Sequence, residues 1–288
     1  MSELGPRGEG AKLLVVDDEE SITTPPETAL ESSRLSLRSR PGGGSVIRVE
    51  HVMGTAVSFA TEHDPEDGAI DRSIAWLHWV DHTFSVHRPD SQIMQIRSGG
   101  VAESDLHPEV AAVLERCMAL RIVSDGRFDH RPEGDLDPSG YVKGWAIDRA
   151  AAILSDAGLT RFYVDAGGDI AVRGRWSIGI RNPLDPTRTL IGLDLTDQAI
   201  ATSGKYERGE HIWGDSTGSL ASISVVGPDL GTADAISTAL FSSQGGDTDW
   251  LDRFPGYEVI AVTNDLEVLT SAGLAAALLR VFSTTRER

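Results

Sequence analysis

The chain has 288 residues, 40% of them hydrophobic and 24% charged, with a formal net charge of −18. This composition suits a globular protein with a substantial core. A chain so acidic, with no basic stripe to offset the charge, repels nucleic acid and anionic membrane, and any phosphate it handles needs a locally recruited cation or basic side chain.

Cys117 is the only cysteine, which excludes an internal disulfide and a cysteine zinc cluster. Its place in a helical apolar pattern marks it as a core thiol. No stretch reaches the roughly 20 consecutive apolar residues of a membrane span. The N-terminus carries no signal-peptide pattern, so the expected compartment is cytoplasmic.

Taken in chain order, the first feature is 11-AKLLVVDDEESI-22. It resembles the opening of a response-regulator receiver domain, with Asp17 and Asp18 as the acidic pair. A receiver needs further strand–helix units to gather its carboxylates. Here Pro25-Pro26, a Ser/Arg tract and Gly42-Gly43-Gly44 follow instead. Residues 1–44 therefore read as a disordered tail with a short receiver-like remnant, and residues 45–288 as the domain, compact from Ser45 to about Phe282.

The domain starts with strand-like 46-VIRVEHVMGTAVSFAT-61, in which Val57 and Phe59 alternate with polar or small residues. A helix is expected after Asp64-Pro65-Glu66, carrying Ile70, Ile74, Leu77 and Phe84. A second runs from Pro108 through Val110, Val113, Leu114, Cys117 and Leu120 to near Gly126. A third is expected over 144–157, stopped by Gly158. Strands follow at 161–166, 176–180, 190–196, 198–203 and 221–227, then a helix at 233–243 and a strand at 257–263. Short links between strands favour antiparallel pairing. The expected class is α+β, mainly antiparallel sheets with packed helices.

Four stretches could carry chemistry. In 137-DPSGYVKGWAIDRA-150 a turn leads into a helix through Lys143-Gly144, which suits an anionic ligand, although a helix-capping loop reads the same way. In 164-VDAGGDIAVRG-174 the glycine pair suits a close ligand contact or a plain hairpin turn. In 199-AIATSGKYERGEHIWGDSTG-218, His211 is either a general base or structural. In 231-GTADAISTAL-240, Asp234 and Thr238 share one helix face and offer hard oxygen donors for magnesium. The alternative is an acidic residue favouring a helix N-terminus beside an incidental threonine.

The order of these stretches resembles the FAD:protein FMN transferase (ApbE) family over about Met53 to Ala239. The matches are 53-MGT-55; part of 84-FSVHRPDS-91; Asp137, Lys143, Gly144 and Asp148; Gly167, Gly168 and Asp169; 202-TSGKY-206; His211 with 217-TG-218; and 233-ADAIST-238. His87 stands where the family has tyrosine, and Gly214 where it has the aspartate after the histidine.

The resemblance implies transfer of FMN from FAD to a Ser/Thr hydroxyl of an acceptor protein, with release of AMP. It implies magnesium held by Asp234, Thr238 and a backbone carbonyl near Gly140. FAD would be bound by Met53, His87, Asp137, Lys143, Ser203 and Gly204, with Lys143 at the pyrophosphate and His211 accepting the hydroxyl proton. Two alternatives share the residue set: a magnesium-dependent FAD pyrophosphatase, in which water replaces the protein hydroxyl, and a non-catalytic flavin-binding protein.

Overall fold

The computed structural model describes residues 35–38, 46–63, 65, 67–102, 105–204, 219–276 and 278–281. The receiver-like stretch, Asp64, Glu66 and His211 lie outside the described residues. Among the described residues, two antiparallel sheets and a layer of helices make an α+β fold, as expected from the sequence.

The larger sheet is built from β2 (Val46–Val52), β3 (Thr55–Thr61), β4 (Phe162–Ala166), β5 (Asp169–Arg173), β8 (Ala199–Gly204), β9 (Leu220–Gly227), β10 (Glu258–Thr263) and β11 (Val268–Thr270). Its strand order is β11-β10-β9-β8-β5-β4-β3-β2. The smaller sheet is β1 (Leu35–Arg38), β6 (Arg175–Asn182), β7 (Asp185–Thr196) and β12 (Leu278–Val281), in the order β1-β6-β7-β12. The helices are α1 (Ala69–Phe84), α2 (Gln92–Arg97), α3 (Pro108–Val123), α4 (Ser139–Asp156) and α5 (Leu230–Ser242).

Strand alternation sorts the core into two layers. Val57, Phe59, Phe162, Val164, Ala171, Ala199, Ala201, Ile223 and Val225 pack with the helices. Their neighbours in sequence, among them Tyr163, Ile170, Val172, Ile200 and Val226, pack with Trp176, Ile178, Leu193 and Leu195 of the smaller sheet. The larger sheet is thus covered on both faces, and all six residues of β8 are buried. Phe59, Leu77, Ile147, Leu154 and Phe162 are fully buried on the helical side, each contributing about 2 kcal/mol by removal from water. Cys117 lies in this layer, and burial pushes its thiol up to about 12, so it is an inert core residue.

Several expectations change. The stretch 46–61 is not one strand but a hairpin: Met53 and Gly54 form its two-residue turn, both with positive φ (54° and 72°). A strand, β1, lies inside the segment expected to be a tail. It pairs with β6 from Leu35↔Ile180 to Arg38↔Ser177, so sheet structure begins before Ser45. The alternation Leu-Ser-Leu-Arg is short and was outweighed by the prolines and glycines around it.

The third helix starts at Ser139, not Gly144, because Pro138 and Asp137 begin it: Asp137 Oδ1 accepts the Ser139 N–H at 3.0 Å, and the Pro138 carbonyl accepts from Tyr141 and Val142. Lys143 and Gly144 therefore lie within the helix, and no helix N-terminus points from Gly144. Likewise α5 starts at Leu230, with Asp229 as its cap.

The glycines inside α4 answer to packing rather than to a turn. A Cβ on Gly144 would lie 2.5 Å from the Leu230 carbonyl oxygen and 2.9 Å from Gly231 Cα. Across the same contact, a Cβ on Gly231 would lie 2.9 Å from the Tyr141 ring and 3.1 Å from the Trp145 nitrogen. The two backbones touch, and the obstacles are mostly main-chain atoms that cannot swing away. Gly144→Ala should therefore destabilise the protein by about 1–3 kcal/mol despite alanine's better helix propensity. A denaturant melt checks this, and an unchanged midpoint would show that α4 and α5 can separate freely.

Candidate active site at the crossing of two helices

The candidate site lies where α4 and α5 cross on the helical face of the larger sheet. Gly140 and Thr238 meet there: a Cβ on Gly140 would come within 3.2 Å of Thr238 Cγ2 and 3.3 Å of its Oγ1. One turn along both helices, Asp234, which is 4% exposed, accepts the Gly144 N–H on Oδ2 at 3.3 Å. In a regular helix that N–H is directed at the Gly140 carbonyl. Asp234 and the Gly140 carbonyl therefore gather around one donor, with Thr238 beside them. The expected metal set, Gly140, Asp234 and Thr238, is brought together.

This set is one carboxylate, one hydroxyl and one main-chain carbonyl. No cluster of three or more His, Cys, Asp or Glu side chains suited to a metal occurs among the described residues. All three donors are hard oxygens, and the space a Gly140 side chain would fill lies against Thr238. The donors fit magnesium, which keeps several waters and takes one or two carboxylates plus substrate phosphates.

Lys143 extends from α4 to the sheet. Its Nζ lies 2.6 Å from Oδ2 of Asp169, which is 1% exposed. Asp169 opens β5 and accepts the Thr202 N–H of β8 on Oδ1 at 3.0 Å. The β5–β8 pairing stops at Ile170↔Ile200, so the Asp169 side chain continues the join where the ladder ends. A buried carboxylate persists only when paired and hydrogen-bonded, and Asp169 is both. It enters the sequence reading as a motif position without a role; here it fixes the ammonium.

The Met53-Gly54 turn sits against the tip of the β4–β5 hairpin. Gly167 and Gly168 form that tip with φ of 65° and 102°, and the Gly168 N–H donates to Asp165 Oδ1 at 2.9 Å. A Cβ on Gly167 would fall 2.6 Å from Thr55 Oγ1, so only glycine lets the tips close together. Met53, half-buried against the helical core, holds a positive φ that costs of order 1 kcal/mol in a residue of this type.

Other expected residues are placed differently. The Ser203 hydroxyl is buried and bonded to Ser237 Oγ of α5 at 3.0 Å, which makes it a strand–helix tie. Gly204 ends β8, in register with Ser222. Asp137 serves the start of α4, as described. His87 is exposed beyond α1; its N–H donates to Ser85 Oγ at 3.2 Å, and among the described residues no hydrogen bond or ring contact joins its imidazole to the rest of the site.

The first turn of α5 is held by three carboxylate contacts. Asp148 of α4 accepts the Leu230 and Gly231 N–H groups on Oδ2 at 2.8 and 2.9 Å. Asp229 accepts the Thr232 N–H at 2.8 Å and the Tyr257 hydroxyl. Burial raises the Asp148 carboxyl to about 6, against the lowering effect of its two N–H donors and of Arg173; Asp229 adds to the rise.

The same layered fold is found in the ApbE protein of Thermotoga maritima (20% identical, TM-score 0.67, over 80% of this chain and 98% of that one). It recurs in a flavin transferase ApbE of Vibrio cholerae (20% identical, TM-score 0.68, over 82% of this chain and all of that one). The sequence profile of the ApbE family matches residues 53–131 and 129–261, and the chain belongs to that family. Curated relatives named FAD:protein FMN transferase include those of Vibrio cholerae (32% identical over 129 residues, 38% of this chain and 39% of the relative) and Rhodobacter capsulatus (29% over 224 residues, 71% of this chain and 40% of the relative). The chain thus spans about two fifths of the length of these relatives.

The raised Asp148 carboxyl has a signed consequence. Its folded value, about 6, exceeds the unfolded 3.8, so the folded protein binds this proton more tightly. The contribution is fully present below pH 3.8 and is lost as pH rises through about 6. Asp148→Asn removes this loss, so the variant should gain up to about 3 kcal/mol on the parent between pH 4 and 7. Paired denaturant melts across that range check it; a constant difference would show that Asp148 does not titrate there.

Proposed function

We propose that this chain transfers FMN from FAD to a Ser or Thr hydroxyl of an acceptor protein with the help of magnesium. The observation that carries this reading is the grouping of Asp234, Thr238 and the Gly140 carbonyl at one helix crossing, within the segment that matches the ApbE family. The names of the curated relatives supply the reaction class.

Asp234, Thr238 and the Gly140 carbonyl would hold a magnesium ion, which would supply positive charge to offset that of the pyrophosphate and the departing phosphate. Lys143, anchored by Asp169, would bring its positive charge to the pyrophosphate. Met53, at the joined hairpin tips, would pack against the flavin side; His87, exposed beyond α1, is given no role here. The acceptor oxygen bonds to the FMN phosphorus as the bond from that phosphorus to the bridging oxygen breaks. AMP leaves with the bridging oxygen, and His211 accepts the hydroxyl proton. Docking of the acceptor excludes water, which favours transfer over hydrolysis.

Asp234→Ala should lower FMN transfer at least about a hundredfold, a loss of about 3 kcal/mol in transition-state stabilisation. Added magnesium should restore only part of it. A native rate in limiting magnesium would remove Asp234 from the metal set.

The reaction type is tested by following AMP and acid-precipitable flavin together. FAD and magnesium alone should release AMP slowly. An acceptor domain with a Ser/Thr flavinylation motif should speed AMP release and become flavin-labelled. Lys143→Ala should depress both outputs. Rapid AMP release without labelled protein would indicate an FAD pyrophosphatase, and tight FAD binding with neither product a non-catalytic binder.

A further inference from the structure

We infer that Asp148 is a positioning residue for the cation site: it sets the place of α5, and through α5 the spacing of Asp234 and Thr238 from Gly140. The inference rests on the reading of those three residues as the cation's ligands. Asp148 itself lies about 12 Å along α4 from Gly140 and cannot share its coordination shell.

The geometry separates this role from ordinary capping. A helix starts with four N–H groups that lack intrahelical partners. In α5 the local cap, Asp229, takes only that of Thr232 through its side chain, and its carbonyl accepts from Ala233 at 3.3 Å. The N–H groups of Leu230 and Gly231, both on buried residues, go to one oxygen of Asp148 on another helix. One turn on, the traffic reverses: the Gly144 N–H of α4 goes to Asp234 of α5.

Gly144 and Asp148 are one turn apart on α4, and Gly231 and Asp234 about one turn apart on α5. Two polar contacts with that spacing fix both the slide of α5 along α4 and its rotation. The Gly144–Gly231 contact leaves no slack between the backbones. Asp234 is thus held from both ends of one turn, and Thr238 follows one turn later.

The test uses the full chain and Mn²⁺ as the probe, with binding read by electron paramagnetic resonance in the absence of FAD. Asp148→Ala should weaken Mn²⁺ binding by about 10- to 100-fold, the range for groups that orient metal ligands without touching the metal. Asp148→Asn should bind within about threefold of the parent, because its amide oxygen can accept both N–H groups. Asp148→Glu keeps the charge but pushes the first turn of α5 away; it should also weaken binding, and it carries the test if the alanine variant does not fold. Leu154→Ala, a core truncation elsewhere on α4, should lower the thermal midpoint and leave Mn²⁺ affinity as it was.

Parent-like affinity in both Asp148→Ala and Asp148→Glu overturns the inference, as does an equal loss in Leu154→Ala. Asp234→Ala separates the two levels. If it abolishes Mn²⁺ binding while the Asp148 variants bind normally, only the positioning role falls. If it binds Mn²⁺ like the parent, the cation site itself is misassigned and the inference falls with it.

Discussion

The close approach of α4 and α5 is the constraint from which the site follows. Two helix backbones meet with no side chain between them because Gly144 faces Leu230 and Gly231. At that distance polar main-chain groups of one helix come within reach of short carboxylates on the other. Asp148 and Asp234 use that reach in opposite directions. Larger residues at the contact would separate the helices, and the aspartates would be too short to bridge them. The glycines act by absence, and the aspartates convert the proximity into a fixed register.

The sheet beneath supplies the other half. Because alternate residues of a strand face opposite sides, Asp169 and Ser203 meet the helices, through Lys143 and Ser237, while Thr202 turns to the other face and bonds Ser224 at 2.8 Å. The hydroxyls of Thr202 and Ser203, on opposite sides of β8, are therefore buried and hydrogen-bonded, which a strand covered on two faces requires. The acidic balance of the chain coexists with this arrangement: Lys143 is set beside a buried carboxylate, and Asp169 holds it there.

Much of this was legible in the sequence, for physical reasons that differ by element. The helices α1 and α3 and the strands β4, β9 and β10 carry clear apolar periodicity, and their positions follow from it. The start of α4 did not, because Ser-Gly-Tyr-Val-Lys-Gly has poor helix propensity; the glycines are there for α5, distant in sequence. The stretch 53-MGT-55 reads as strand because apolar strand-like sequence flanks it on both sides; the pairing Val52↔Thr55 makes it a turn. Lys143, Asp234 and Thr238 stood out through motif order. Their partners did not: Ser203 looks like a ligand-facing hydroxyl until its bond to Ser237 is known, and nothing in the spacing of Asp148 says that its acceptor capacity is spent on another helix.

The borrowed cap of α5 also bears on how the protein folds. Two of its first N–H groups depend on a side chain 82 and 83 residues earlier in the chain, and a 13-residue helix is marginal on its own in water. Such contacts join late, after the entropy of a long loop has been lost. The segment carrying Asp234 and Thr238 therefore gains its final shape only as the domain consolidates, and chains still folding lack the assembled oxygen set. Any ligand that requires both of these side chains in place binds only the consolidated domain and stabilises it by mass action.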